Sequence, residues 1–446
     1  MATRSVKDKE YVLKMAKEAN VKFVRLWFTD ILGFVKSFAI TAEELEGALD
    51  EGMGFDGSSI EGFARIDESD MMARPDPNTF CLIPWRQKDD FAVARMFCDI
   101  VRPDGSPFEG DPRYILKQNL KRAAKLGFTF YVGPELEFFY FKNNSSTEFL
   151  DNGGYFDLTP PDPAADLRRD TVLMLESMGI GVEYSHHEVS PSQHEIDLRY
   201  TDALSMADAA MTYRVTVKEV AQRYGVYATF MPKPVSGMNG SGMHVHQSLF
   251  KGDKNAFFDA KDKYHLSKTA KNYIAGILKH SREITSVTSQ WVNSYKRLVP
   301  GYEAPVYIAW AKRNRSTLVR IPEYKPGREK ATRVEYRSPD PACNPYLAFS
   351  VMLAAGLEGI EKNYDLVPPT EENVFDLSPE ERAKRGIRPL PGDLYEAILE
   401  TEKSAVVRKA LGEHAFHTFI ENKKIEWDKY RAHVTDYELK EYLSIL

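Results

Sequence analysis

At 446 residues with 43% hydrophobic content, the chain can bury a large core, and its size favours two or three folding units over one. Its 59 basic and 65 acidic residues leave a net charge of −6 with no basic block of the kind that tracks a phosphate backbone, so nucleic acid is not an expected partner. Cys81, Cys98 and Cys343 are widely separated and lack C-x-x-C spacing, which argues against a disulfide framework and a thiolate metal site and fits a reducing cytoplasm. The N-terminus is mixed and charged, and no run approaches the ~20 apolar residues of a membrane span.

In chain order, a short helix around Lys7 to Ala19 leads into strands Val21 to Thr29 and Phe34 to Ile40, a hairpin turning at Gly33. Thr41 with Glu44 three residues on has the form of a capping box for a helix that stops at Gly52. MGFDGSSIEGF, residues 53–63, reads as an exposed, sharply turning loop around Asp56, Ser58 and Ser59. Prolines and glycines punctuate residues 75–110, after which Asp111-Pro112 starts a helix that ends at Gly127, so a domain boundary is expected near 108, dividing 1–108 from 109–446. FTFYVGPELEFFYF, residues 128–141, is dense in aromatic and β-branched residues and reads as a strand interrupted by a kink at Gly133-Pro134. Beyond it, strands alternate with amphipathic helices expected over 165–178, 202–224, 267–284, 345–362, 393–400 and 404–423.

Polar residues two apart in otherwise apolar strands mark a face that looks into a wet cavity. Three segments carry such pairs: Glu135 and Glu137, His244 and His246, and Glu335 with Arg337. In VEYSHHEVSPSQHEIDLRY, Glu183, Glu188 and Glu195 flank a turn through Pro191 and Ser192, so Glu188 and Glu195 can face each other across a hairpin. An oxygen-rich, sulfur-free set suits Mg²⁺ or Mn²⁺, and this many carboxylates exceeds what one ion uses, which points to two neighbouring metal sites. Arg297, Arg315, Arg320, Lys330, Arg333 and Arg337 supply the opposite sign, as anion clamps or as surface charges. PVSGMNGSGMH, residues 234–244, is a Gly-rich approach to His244 that matches neither the Walker nor the dinucleotide pattern.

With DGSSIEGF at 56–63, GPELEFF at 133–139, HHEVSPSQHEID at 186–197, NGSGMHVHQSL at 239–249, KRLVPGYEAP at 296–305, NRS at 314–316 and EYRSPDPACNPYLAF at 335–349, the chain resembles type I glutamine synthetase over its whole length. The resemblance implies an α+β fold: an N-terminal β-grasp domain and a larger catalytic domain with a curved antiparallel sheet flanked by helices. It implies ATP-dependent ligation of ammonium to L-glutamate through γ-glutamyl phosphate. One metal would be held by Glu137, Glu188 and Glu195, and the other by Glu135, His244 and Glu335. Glutamate would be bound by Asn239, Gly240, Arg297, Glu303, Arg315 and Arg337, and ATP by Glu183, His246, Ser248, Arg315, Arg320 and Lys330. Asp56 would enter from a neighbouring subunit to deprotonate ammonium, Glu303 would close over the intermediate, and Arg315 and Arg337 would act in catalysis. The assembly implied is a dodecamer of two stacked hexameric rings with shared sites.

The same resemblance bears on control. A tyrosine that many type I enzymes adenylylate is matched by Phe375 in ENVFDLSPEE, with Tyr364 as a nearby alternative, and IEGFARI with Arg65 resembles the directly feedback-inhibited (alpha) subgroup. Glutamine inhibition, with 2-oxoglutarate or a PII-type signal protein as further effectors, is the expectation. Relatives that ligate glutamate to larger amines would share most of these features, and a non-catalytic structural descendant would be expected to have lost some of the ligands.

Overall fold

The computed structural model describes residues 7–58, 60, 70–87 and 90–446. Helix α1 (Lys9–Glu18) is capped by Asp8, which accepts from the Tyr11 amide, and it buries Val12 and Ala16 against strands β1 (Val21–Thr29) and β2 (Val35–Thr41). These two form the expected antiparallel hairpin. Strands β3 (Met53–Asp56), β4 (Asp70–Pro75), β5 (Cys81–Leu82) and β6 (Ala92–Val101) complete a sheet of order β2-β1-β6-β4-β3, with β5 also on β6 and the β1–β6 pair parallel.

Two expectations fail in this region. Thr41 makes no capping bond, because a 3₁₀ turn at Ala42–Glu44 intervenes before α2 (Leu45–Glu51) and shifts Glu44 to the cap position, from which it cannot reach back. Gly52 does end the helix, with φ 86°. The stretch read as a loop begins as strand β3, whose Met53 and Phe55 alternate inward, Phe55 meeting the Phe28 ring at 4.9 Å. Ser59 and Arg65 lie outside the described residues.

Asp111 caps α3 (Pro112–Lys125) by accepting from the Arg113 amide. It leads to β7 (Thr129–Phe141), the longest strand of the second sheet. The strand is not interrupted at Gly133-Pro134: Gly133 is there for close approach, since a Cβ would lie 3.1 Å from that of Tyr200. With β8 (Val182–His187), β9 (Gln193–Leu198), β10 (Thr201–Asp202), β11 (Tyr227–Thr229), β12 (Met243–Lys251), β13 (Lys254–Asn255), β14 (Trp310–Ala311), β15 (Val319–Arg320) and β16 (Val334–Tyr336), it builds a sheet of order β14-β15-β16-β12-β7-β9-β8. All its pairings are antiparallel except β14–β15.

Helices α4 (Ala165–Ser177), α5 (Ala203–Arg223) and α6 (Lys268–Thr288), the short α7 (Ser294–Arg297), and α8 (Pro345–Glu361) cover the apolar side, followed by α9 (Pro379–Lys384) and α10 (Leu394–Glu402). Tyr213 of α5 donates to the Leu136 carbonyl at 3.0 Å and so ties this layer to β7. The helix expected over 404–423 is two: Gly412, at φ 77°, separates α11 (Ala405–Leu411) from α12 (Glu413–Arg431), and α13 (Asp436–Tyr442) follows. One apolar cluster joins the N-terminal sheet to α1 and α2, and a larger one fills the space between the second sheet and its helices. The overall class is α+β, as expected. Among the described residues no helix is long and apolar enough to cross a membrane.

Candidate active site

Sheet register assembles the site. Strand β7 lies between β12 and β9, which sets Glu135 opposite His244 on one side and Asp197 on the other, and Glu137 opposite Glu195. The rows extend outward, with His246 opposite Glu335, Glu335 opposite Arg320, and His186 opposite Glu195. Directly opposed side chains on one face sit about 5 Å apart, so five antiparallel pairings gather residues scattered between positions 135 and 335. Of these, Glu135, Glu137, His186, Glu195, His244 and Arg320 line a cavity of about 780 Å³ with Asn239, Gly240, Arg297, Glu303, Arg315 and Arg337, while Asp197, His246 and Glu335 stand behind its wall.

Around Glu135, His246 Nε2 lies 2.6 Å from its Oε1, and His244 Nδ1 lies 3.2 Å from its Oε2 and 3.9 Å from Glu335. Arg320 Nε donates to Glu335 Oε2 at 2.5 Å, and Arg337 donates to its other oxygen. Donor atoms of Glu135, His246 and Glu335 converge within 4.8 Å of one another, as do those of His186, Glu188 and Glu195, and of Glu135, Glu195 and Asp197. Glu137 is held differently, accepting from the Gly242 amide at 2.9 Å and from Gln193 Nε2 at 3.0 Å.

The carboxyls divide electrostatically. Burial and the Glu188 carboxylate push Glu137 up to about 8, and burial with Asp197, Glu135 and Glu137 drives Glu195 well above the ordinary carboxylate range. Burial acts on Glu335 in the same direction, but Arg337 and the two histidines overcome it and hold this group at about 2. Glu135 is likewise pulled well below its ordinary value, against burial, by His246 and His244. One flank is thus anionic and the other carries protons that a cation would displace.

Residues 109–442 match the glutamine synthetase catalytic domain, and residues 20–103 match the glutamine synthetase beta-grasp domain. The chain belongs to the glutamine synthetase family. It is 56% identical over 444 residues to a glutamine synthetase of Mycolicibacterium smegmatis, covering 98% of this chain and 100% of that one. In three dimensions it is similar to the Plasmodium falciparum glutamine synthetase with a TM-score of 0.89 and 26% identity, covering 99% and 100% of the two chains. A GmaS–ADP complex is similar with a TM-score of 0.88 and 31% identity, covering 97% and 99%. Family membership carries the activity with it, the ATP-dependent formation of glutamine from glutamate and ammonia.

The side chains present suit the divalent cations that glutamine synthetases use. Donors are carboxylate and imidazole, and among the described residues neither Asp197 oxygen nor His186 Nδ1, all buried, has a hydrogen-bond partner. Arg297 crosses the Gly-rich stretch so closely that a Cβ on Gly240 would lie 2.9 Å from its Cγ; its guanidinium donates to the Ser338 carbonyl at 2.7 Å and the Arg337 carbonyl at 3.1 Å. Asn239 donates to Glu303 at 3.1 Å, and Glu303 sits at φ 59°, a left-handed conformation that L residues seldom adopt.

Other residues that the family resemblance names stand off the cavity wall. Glu183 is exposed at a bulge of β8, Ser248 is buried on β12 beyond His246, and Lys330 lies in a 3₁₀ turn at Glu329–Ala331. His246 faces Glu135 on one side and accepts from Arg333 at 3.1 Å on the other. Asp56 is exposed at the end of β3, its carboxylate accepting from the Ser58 amide at 2.8 Å. Conversely, the wall includes Tyr155, Tyr184, His186, Gln193, Phe375 and Arg382, which sequence reading did not place there, and Asp197 beside Glu195 was missed as well. His186 and Asp197 were within reach of the period-two rule, lying two residues from Glu188 and from Glu195.

Proposed function

We propose that glutamate and the phosphates of ATP meet in this cavity on two divalent cations, Mg²⁺ or Mn²⁺, held by Glu137, Glu188 and Glu195 on one flank and by Glu135, His244 and Glu335 on the other. Such cations would neutralise phosphate oxygens and spread the charge of the transferring group. The observation that carries this reading is the convergence of two carboxylate-imidazole groups, Glu135 with His246 and Glu335, and His186 with Glu188 and Glu195, beside one cavity whose wall also holds Glu137 and His244. Likeness to a GmaS–ADP complex supports the nucleotide.

In this reading Asn239, Gly240 and the charge of Arg297 seat glutamate, whose γ-carboxylate attacks the γ-phosphorus of ATP and displaces ADP. Arg315 and Arg337 face the developing charge, and Arg320, Glu183, His246, Ser248 and Lys330 serve the nucleotide side. Asp56 of a neighbouring subunit takes a proton from ammonium, because only ammonia has the lone pair that attacks γ-glutamyl phosphate. Glu303 closes the ammonium side. The exposed position of Asp56 away from the cavity wall supports a shared site, and with it the assembly of two stacked six-membered rings. The chain divides near residue 108, and the reaction runs in the cytoplasm.

Control is by reversible glutamine binding. Phe375, which has no hydroxyl to modify, packs edge-on against Tyr307 at 5.7 Å in the cavity wall, whereas Tyr364 is half-buried under Lys279. Arg65, the candidate coupling residue, lies outside the described residues. Release of ADP with glutamate plus ammonium, compared with larger amines, tests the reaction: ammonium turnover with glutamine as product supports it, and turnover with a larger amine alone overturns it. Arg65→Ala should weaken glutamine inhibition more than catalysis; an unchanged inhibition curve, or an added AMP mass on Tyr364 in intact protein, would count against this mode of control.

A further inference from the structure

Lys233 has no assigned part in the site, yet its surroundings are unusual for an ammonium group. It is buried, and among the described residues no carboxylate pairs with it; the neighbouring charge is that of Arg297. Its backbone is fixed from both directions, the Lys233 amide donating to Asn293 Oδ1 at 2.8 Å and Asn293 Nδ2 returning a bond to the Lys233 carbonyl at 3.0 Å. The ammonium donates to the Met238 carbonyl, one residue before Asn239, and lies 3.7 Å from the centroid of the Tyr302 ring.

Tyr302 is the residue before Glu303. The segment Pro300–Ala304 lines the cavity, and two of its residues, Gly301 at φ 95° and Glu303 at φ 59°, hold left-handed conformations. For a glutamate that geometry is unfavourable and persists only where surrounding contacts impose it. The Asn239–Glu303 hydrogen bond is one such contact, and it is exposed to water. The other is the Lys233–Tyr302 stack, in which a partly desolvated cation faces an aromatic ring. Both contacts hold the 302–303 segment: Asn239 bonds Glu303 directly, and Lys233, which stacks on Tyr302, also donates to the Met238 carbonyl beside Asn239.

We infer that Lys233 and Tyr302 form a cation–π latch that holds the Glu303 loop over the cavity, making Lys233 a positioning residue for the ammonia half of the reaction. The inference rests on the assignment of Glu303 to the ammonium side. With the latch weakened, water reaches γ-glutamyl phosphate: it adds at the acyl carbon, the bond to the phosphate oxygen breaks, phosphate leaves and glutamate is regenerated. Net ATP hydrolysis then proceeds without glutamine.

The measurement is the ratio of glutamate-dependent ADP release to glutamine formed, in purified assembled enzyme at saturating ATP. Lys233→Met and Tyr302→Leu should each raise the excess of this ratio over one about fivefold, the weight of one such contact. Lys233→Arg and Tyr302→Phe should keep the parental ratio, because charge and ring survive. A structural defect would lower both products together and leave the ratio alone. An unchanged ratio in Tyr302→Leu overturns the latch, as does a rise in Tyr302→Phe equal to that in Tyr302→Leu, which would assign the effect to the hydroxyl. Parent enzyme that releases ADP but makes no glutamine would overturn the underlying reading of the site instead.

Discussion

Glu137 and Glu335 are alike in type and both are buried, but the structure gives them opposite protonation. Glu335 receives two guanidinium donors and stays ionised, whereas Glu137 has only uncharged donors and looks across at Glu188. Glu137, at about 8, is therefore largely protonated at pH 7. If Glu137 holds a cation, binding displaces that proton, so affinity for Mn²⁺ or Mg²⁺ should rise with pH through about 8, and a weakly buffered titration at pH 7 should record proton release. A titration with no proton release would refute this. The linkage sign for the metal-free protein is the reverse of the usual carboxylate case. A folded-state value above the unfolded one means that the native state holds the extra proton, so the stability contribution falls as pH rises from about 4.5 to about 8. Glu137→Gln should remove that slope while weakening metal binding. Period-two spacing made Glu135, Glu137, His244, His246 and Glu335 legible before any fold was known. It could not say which carboxylates would repel one another, because the opposing residues come from other strands whose register is a tertiary fact.

Elements followed the sequence where local physics was strong and departed where close approach decided. A continuous apolar run and an Asn344 cap place α8, which is buried on nearly every face rather than amphipathic as expected, and its packing depends on something the run does not show. Gly276 of α6 meets Gly359 of α8 almost backbone to backbone, and a Cβ on Gly359 would strike the Asn272 carbonyl and lie 2.8 Å from the Gly276 nitrogen. Gly359→Ala should therefore destabilise by about 1–3 kcal/mol through overpacking. Gly47→Ala, on a helix with nothing within 4 Å of the added carbon, should instead stabilise by about 0.5–1 kcal/mol. Thermal unfolding of the two variants checks the contrast, and equal midpoints would refute the close-packing account. Strand β3 was misread for the mirror-image reason. Its glycines suggested a loop, whereas Met53 and Phe55 alternate inward and β4 pairs with it, a partner that no local pattern announces.

At the scale of the whole molecule, the cavity-lining residues among those described all come from one part of the chain, residues 135–382, while Asp56 stands exposed on the far sheet. The motif that contains Asp56 was as legible as the carboxylate pairs, but its spacing alone says nothing of a partner; only the family resemblance assigned Asp56 to a neighbouring site, since a residue that served between subunits would leave no mark on the spacing of either. If Asp56 serves a neighbouring site, two inactive variants should complement. Asp56→Ala keeps the metal-binding strands, and Glu335→Gln keeps Asp56; Gln is chosen because removing the whole side chain would leave Arg320 and Arg337 facing an empty pocket. Each homogeneous assembly should be inactive. After dissociation and joint reassembly in equal amounts, about a quarter of subunit junctions pair an intact cavity with an intact Asp56, so activity should return to about a quarter of the parental value. Native mass spectrometry establishes that mixed assemblies formed. Mixed rings without recovered activity would place Asp56 outside the reaction or within its own subunit's site, whereas recovery near a quarter requires that one chain's loop complete another chain's cavity.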